Sequence, residues 1–139
     1  MSRSAQKLFA LVLLVLACRA SATPLFDDDA VLDIELAGPF STLIKQKKDR
    51  EELPFVLRAD NVEHEIKVRV RGHSRVRVCD APPLRLNFVK SKTKGTVFAG
   101  QNKLKLVTHC HASDRAQANI LQEYSAYKIF RVISDVGYR

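Results

Sequence analysis

No apolar run in this 139-residue chain reads as long enough to cross a bilayer: the segment Leu8 to Ala17 offers ten residues, where a spanning helix needs about 20. Glycine is sparse, at five residues, and none belongs to a Gly-Lys-Ser/Thr ending, so a Walker-type phosphate loop is excluded. The dinucleotide fingerprint, the nucleophile elbow and the paired-histidine helix of zinc proteases are also missing. Dehydrogenase and hydrolase readings therefore have no footing.

What is present begins with an export signal. Arg3 and Lys7 precede the apolar run, and Ala20-Ser21-Ala22 supplies small side chains at the spacing of a secretory cleavage site. Residues 1–22 read as a signal peptide and residues 23–139 as one domain. A rival reading takes Val15-Leu16-Ala17-Cys18 as a lipoprotein box, with Cys18 carrying the lipid. Either route ends outside the cytoplasm, periplasmic or extracellular, and only the second gives the protein a membrane contact.

With 46% hydrophobic and 27% charged residues the composition is globular. The full chain carries 23 Lys and Arg against 15 Asp and Glu, a net charge of +8. Removal of residues 1–22 takes away Arg3, Lys7 and Arg19 and no acid, which leaves 20 bases against 15 acids, about +5. Such a surplus favours nucleotide phosphates, acidic envelope polymers or lipid headgroups. The export signal argues against nucleic acid.

Beyond Cys18 the chain holds two cysteines, Cys79 and Cys110. An oxidising compartment suits a disulfide between them; two buried thiols or a metal site are the alternatives. On a strand, His109 and His111 point one way and Cys110 the other, so the three cannot converge on one ion. His64 and His73 have no ligand spacing around them, and all four histidines read as solvent-exposed.

Along the chain, Asp27-Asp28-Asp29 is a solvated acidic stretch. In Val31 to Leu36, Leu32, Ile34 and Leu36 alternate with Asp33 and Glu35, the pattern of a half-buried strand. Gly38-Pro39 breaks it, and Phe40 to Ile44 starts a short helix running into the mixed-sign stretch Lys45 to Glu52, a solvated face or loop. Pro54 to Ala59 and His64 to Arg71 are strands, the second with Ile66, Val68 and Val70 facing in. Gly72-His73-Ser74 then turns the chain, and the spacing predicts a further strand with Val76 and Val78 inward. That hairpin would gather Arg69, Arg71, Arg75 and Arg77 on one face, where like charges repel unless an anion joins them. The cluster is either a phosphate-gripping edge or a solvated face neutralised by Glu63, Glu65 or Asp80.

Cys79-Asp80-Ala81-Pro82-Pro83 makes a stiff corner. Leu84, Leu86 and Phe88 face the core in the next strand, with Arg85 and Asn87 opposite. Lys90, Lys92 and Lys94 lead to Gly95, a flexible cationic hairpin end, and Lys103 to Val107 forms one more strand. Ser113 or Asp114 caps a helix reaching about Ile133, with Gln117 placed to complete a box with Asp114. Its stripe of Ile120, Leu121, Tyr124, Tyr127 and Phe130 is expected to pack on the sheet. Glu123 beside that stripe either meets solvent or pairs with a strand lysine such as Lys105. The fold class is thus α+β: an antiparallel strand-rich lobe followed by a helix.

The order of an R-G-x-S turn at Arg71 to Ser74, the run C-D-x-P-P-L-R-L-N-F at Cys79 to Phe88, and K-L-K-L-V-T-H-C at Lys103 to Cys110 resembles an exported branch of the spore-coat protein H (CotH) kinase family. The likeness covers about Val68 to Tyr127. It implies the amino-terminal lobe of an atypical kinase, ATP and Mg²⁺ as cofactors, and a protein as phosphate acceptor. By the same likeness Arg71, Arg75, Arg85 and Lys105 are candidate nucleotide contacts and Glu123 a candidate lysine partner. No catalytic aspartate carries over, because the metal-binding lobe of the family lies beyond the helix, past Asp80, Asp114 and Asp135, so this portion alone is expected to be inactive. Scarcity of ATP outside the cytoplasm weighs against the enzyme. The other readings are a noncatalytic module that holds acidic envelope polymers through its arginines, and an incomplete, unstable product.

Overall fold

The computed structural model describes residues 23–27 and 29–134. The signal segment 1–22 with Cys18, and also Asp28 and Asp135, lie outside the described residues. Five strands form one sheet: β1 (Glu35–Ala37), β2 (Leu53–Ala59), β3 (Val62–Val70), β4 (Leu84–Asn87) and β5 (Lys103–Leu106). Their spatial order follows the chain order, and every neighbouring pair is antiparallel. Among the described residues three helices accompany them: α1 (Phe40–Lys45), α2 (Arg75–Val78) and α3 (Asp114–Ile133). The α+β class expected from the sequence is therefore present.

Alternation decides which face is buried. Phe55, Leu57 and Ala59 of β2, Ile66, Val68 and Val70 of β3, and Leu84 and Leu86 of β4 share the inner face and form the core with Phe88. Leu43 of α1, Val76 of α2, and Val97 and Phe98 of the β4–β5 connection close over it, with Leu25 and Leu32 partly buried against them. Two positions in left-handed conformation, Asp60 (φ 47°) and Asn61 (φ 60°), make the β2–β3 hairpin loop. Two-residue loops of this hand match the twist of the strands they join. Gly38 is fixed by packing, because a Cβ there would lie 2.3 Å from the Phe55 ring.

Four expectations need correction. The segment after Gly72 is the one-turn helix α2 and not a strand, so Val76 is buried while Val78 is 63% exposed. Val76 and Cys79 lie three residues apart, and a helical turn puts both on the inner side, where Cys79 is disulfide-bonded to Cys110. Next, His64 is buried among Phe88 and Phe98, whose ring centroids lie 6.1 and 5.2 Å from its own. It occupies an inner-face position of β3, so strand register overrides its polarity. The lysine-rich hairpin end is an ordered 3-10 turn, Lys90–Thr93, with Thr93 buried and its Oγ1 donating to the Lys90 carbonyl at 3.0 Å.

The fourth correction concerns α3, which forms as expected but buries no residue. Leu121, Tyr124, Tyr127 and Phe130 are 60, 54, 50 and 44% exposed. Most of the inner face of the sheet is already covered by the residues named above, with Leu104 and Leu106 at the β5 edge half-buried. Charge and covalency hold α3 instead. Ser113 caps it by accepting from the Ala116 amide at 3.3 Å, so Asp114 sits in the first turn and is not the cap. Asp29 accepts from Arg131 at 2.9 Å and also pairs with Lys128. Both cations hold the Asp29 carboxyl below the usual range.

Candidate anion-binding face

The outer face of the sheet is where the cations gather. Register places Arg69 opposite Arg85 and Arg85 opposite Lys105, a row across β3, β4 and β5. A neighbouring row runs Lys67, Asn87, Lys103. Side chains directly opposite on one face stand about 5 Å apart, and like charges at that distance are destabilising. Arg71, next on this face after Arg69, has its amide bonded to the Pro83 carbonyl at 2.8 Å.

Glu52 is the carboxylate that enters this field. Its Oε1 accepts from Arg85 Nη2 at 2.6 Å, and Asn87 Nδ2 donates to Oε1 and Oε2 at 3.3 and 3.2 Å. The Arg85 hydrogen bond lowers the pKa of Glu52 most, partly countered by burial. Arg69 is left without an ion pair among the described residues. Desolvation, followed by the charge of Arg85, makes its protonated form less favourable than usual; nearby Glu52 partly counters this, and Arg50 and Arg71 add to it. The Nε atoms of both Arg69 and Arg85 are buried and lack a hydrogen-bond partner. An anion arriving at the guanidinium groups would relieve the repulsion between them.

The residues expected to neutralise the arginines are engaged elsewhere. Glu63 pairs with Arg58, Glu65 with Lys92 and Asp80 with His111, and none reaches the row. Glu52 was missed because it closes a mixed-sign loop stretch, where charge pattern alone signals solvent. A clue did exist in its place just ahead of the alternating Leu53 to Ala59 segment, since a residue leading into a strand inherits a face.

Of the candidate contacts, Arg71, Arg85 and Lys105 share the outer face, whereas Arg75 does not join them in one hairpin. Arg75 and Arg77 lie on α2, and Arg75 pairs with Glu123 of α3 at 3.8 Å. Glu123 is 43% exposed, and its cationic partner is Arg75, where a strand lysine such as Lys105 was the alternative to solvent. Gly72 (φ 99°) makes the intervening turn, and its carbonyl accepts from Arg50 Nη2 at 3.1 Å. Cys79 and Cys110 form the disulfide, which withdraws Cys110 from any metal-ligand set.

Beside the cation rows lies a cavity of about 720 Å³, lined by Ala37, Pro54, Val56 and Val89 together with Lys67 and Lys92. This size is within the range of small-molecule sites. Glu52 and Glu65 also line the cavity, and Lys92 is paired with Glu65, so the face offers an apolar floor with a mixed-charge flank on which Lys67 has no ion pair among the described residues. Among the described residues no group of three or more His, Cys, Asp or Glu could hold a metal ion, and no helix is long and apolar enough to cross a membrane. No family model, no curated protein and no solved structure matches this chain.

Proposed function

We propose that this chain is the phosphate-gripping, strand-rich lobe of an exported protein akin to the spore-coat protein H kinases, and that its outer sheet face takes the phosphates of a nucleotide such as ATP. The row Arg69, Arg85, Lys105, opposed among the described residues by Glu52 alone, carries this reading. Phosphoryl transfer rests on positioning and charge neutralisation, and three cations at strand spacing suit a run of phosphate oxygens. The apolar floor at Ala37, Pro54 and Val56 gives the base a surface. Mg²⁺ fits this face badly, because Glu52 is committed to Arg85 and Asn87. Binding is thus the expected property of the lobe by itself, with no turnover.

A second reading is favoured by the exposure of Lys103 and Lys105 at the sheet edge. Open cations in a row also suit an acidic envelope polymer, held without chemistry and released by salt. Calorimetric titration of the mature protein with ATP, and separately with polyphosphate or an acidic polysaccharide, separates the two. Saturable ATP binding that is lost in Arg69→Ala, and weakened in Arg71→Ala or Lys105→Ala, supports the nucleotide. Polymer binding that fades with salt, in the absence of any ATP response, supports the module. Silence toward both, in a protein shown by circular dichroism to be folded, rejects the face as a binding site.

A further inference from the structure

The two edges of the sheet are matched to each other. At one edge β5 reads Lys103-Leu104-Lys105-Leu106, with both lysines on the outer face and both leucines half-buried on the inner. At the other edge, Asp33-Ile34-Glu35-Leu36 leads into and through β1, with Leu36 facing in and Glu35 on the outer face opposite Arg58. Lysine thus stands where the other edge has an acid, and an aliphatic residue where it has another, over four consecutive positions. Neither Lys103 nor Lys105 has an ion pair among the described residues, nor has Asp33, while Glu35 is exposed and shares Arg58 with Glu63. No backbone hydrogen bond from another segment caps either strand on its open side among the described residues.

We propose that copies of this chain join edge to edge, the β5 edge of one copy pairing with the β1 edge of the next, so that one sheet continues through successive molecules. Open strand edges carry unpaired amides and carbonyls that template such addition. The alternatives within one kind of chain are disfavoured by charge: β5 against β5 sets lysine on lysine, and β1 against β1 sets acid on acid. Only the mixed contact brings opposite signs together. Keeping the outer faces aligned fixes the orientation as well. β1, β3 and β5 run in one direction, so β1 of the arriving copy lies parallel to β5. In register, Lys103 meets Asp33, Leu104 meets Ile34, Lys105 meets Glu35 and Leu106 meets Leu36. Ile34, 39% exposed in the single chain, gains cover.

Such a contact uses different surfaces on the two copies, so it does not close on a dimer by symmetry and grows into chains. The inference stands without the phosphate reading. Asp33 lies at the opposite edge from that row, so a change there tests assembly apart from phosphate binding.

Sedimentation velocity of the mature protein over a concentration series, at low and high salt, is the test. The expected result is a mean mass that rises with concentration past the dimer and falls back with added salt. Lys103→Glu/Lys105→Glu and Asp33→Lys/Glu35→Lys should each weaken association by about tenfold or more. Mixing the two should restore it, because each now offers the edge the other lacks. A wild type that stays monomeric throughout, a mass that stops at the dimer, or mixed variants that remain apart would overturn the proposal. Should a variant fail to fold by circular dichroism, the wild-type series still decides.

Discussion

Leu57 of β2 and Leu121 of α3 both occupy regular apolar positions of their elements, yet Leu57 is fully buried and Leu121 is 60% exposed. The same contrast holds for the whole elements. The sheet closes its inner face with α1, α2 and the Val97-Phe98 turn, while α3 has no fully buried residue and is moored by a disulfide at its approach and by charged side chains along its length. Periodicity therefore announces that an element forms. It does not announce that a partner surface remains free to receive it.

The sharpest way to break this contrast is truncation on each side of it. Leu57→Ala should lower stability by about 2–5 kcal/mol through the cavity it leaves, whereas Leu121→Ala should change it by no more than about 0.5 kcal/mol. Urea denaturation of the two variants measures both. Equal losses would mean that α3 is packed as firmly as the sheet.

Reduction of Cys79–Cys110 is next in size. The bond closes a loop over a sequence separation of 31, for which chain entropy gives about 3–4 kcal/mol. Melting with and without reductant should show the loss, and amide exchange should place the first opening in α3. An opening shared evenly by sheet and helix would remove the distinction between them.

Acid should act on the sheet through His64, with a smaller effect. Burial lowers its pKa from the ordinary 6.5, so the unfolded state binds the proton more readily. Stability is then complete above the unfolded value and is lost as pH falls through it toward the folded one. Urea midpoints at pH 7.5 and 5.5 should therefore differ more for the wild type than for His64→Gln. The same difference in both proteins would assign the acid sensitivity to another group.

The strands were legible wherever alternation was clean. Ile66, Val68 and Val70, and likewise Leu84, Leu86 and Phe88, are inward as their spacing implied. At Arg75 to Val78 the pattern misled, since four residues alternating apolar and charged fit one helical turn as well as a strand. There Cys79, tied to Cys110, favours the turn. The site was half legible for a related reason. Cations on one strand can be read from sequence, but the row Arg69, Arg85, Lys105 exists only through register between β3, β4 and β5. The Glu52 counter-ion, 33 residues from Arg85, is a tertiary fact of the same kind.

One consequence of strand order concerns how quickly the chain finds its shape. Each strand of this meander pairs with the strand next to it along the chain, so the sheet can zip outward from the tight Asp60-Asn61 loop without first closing a long one. Low loop-closure entropy of this sort speeds folding. Oxidation of the thiols, which runs on a scale of seconds to hours, would then lock a sheet that has already collapsed.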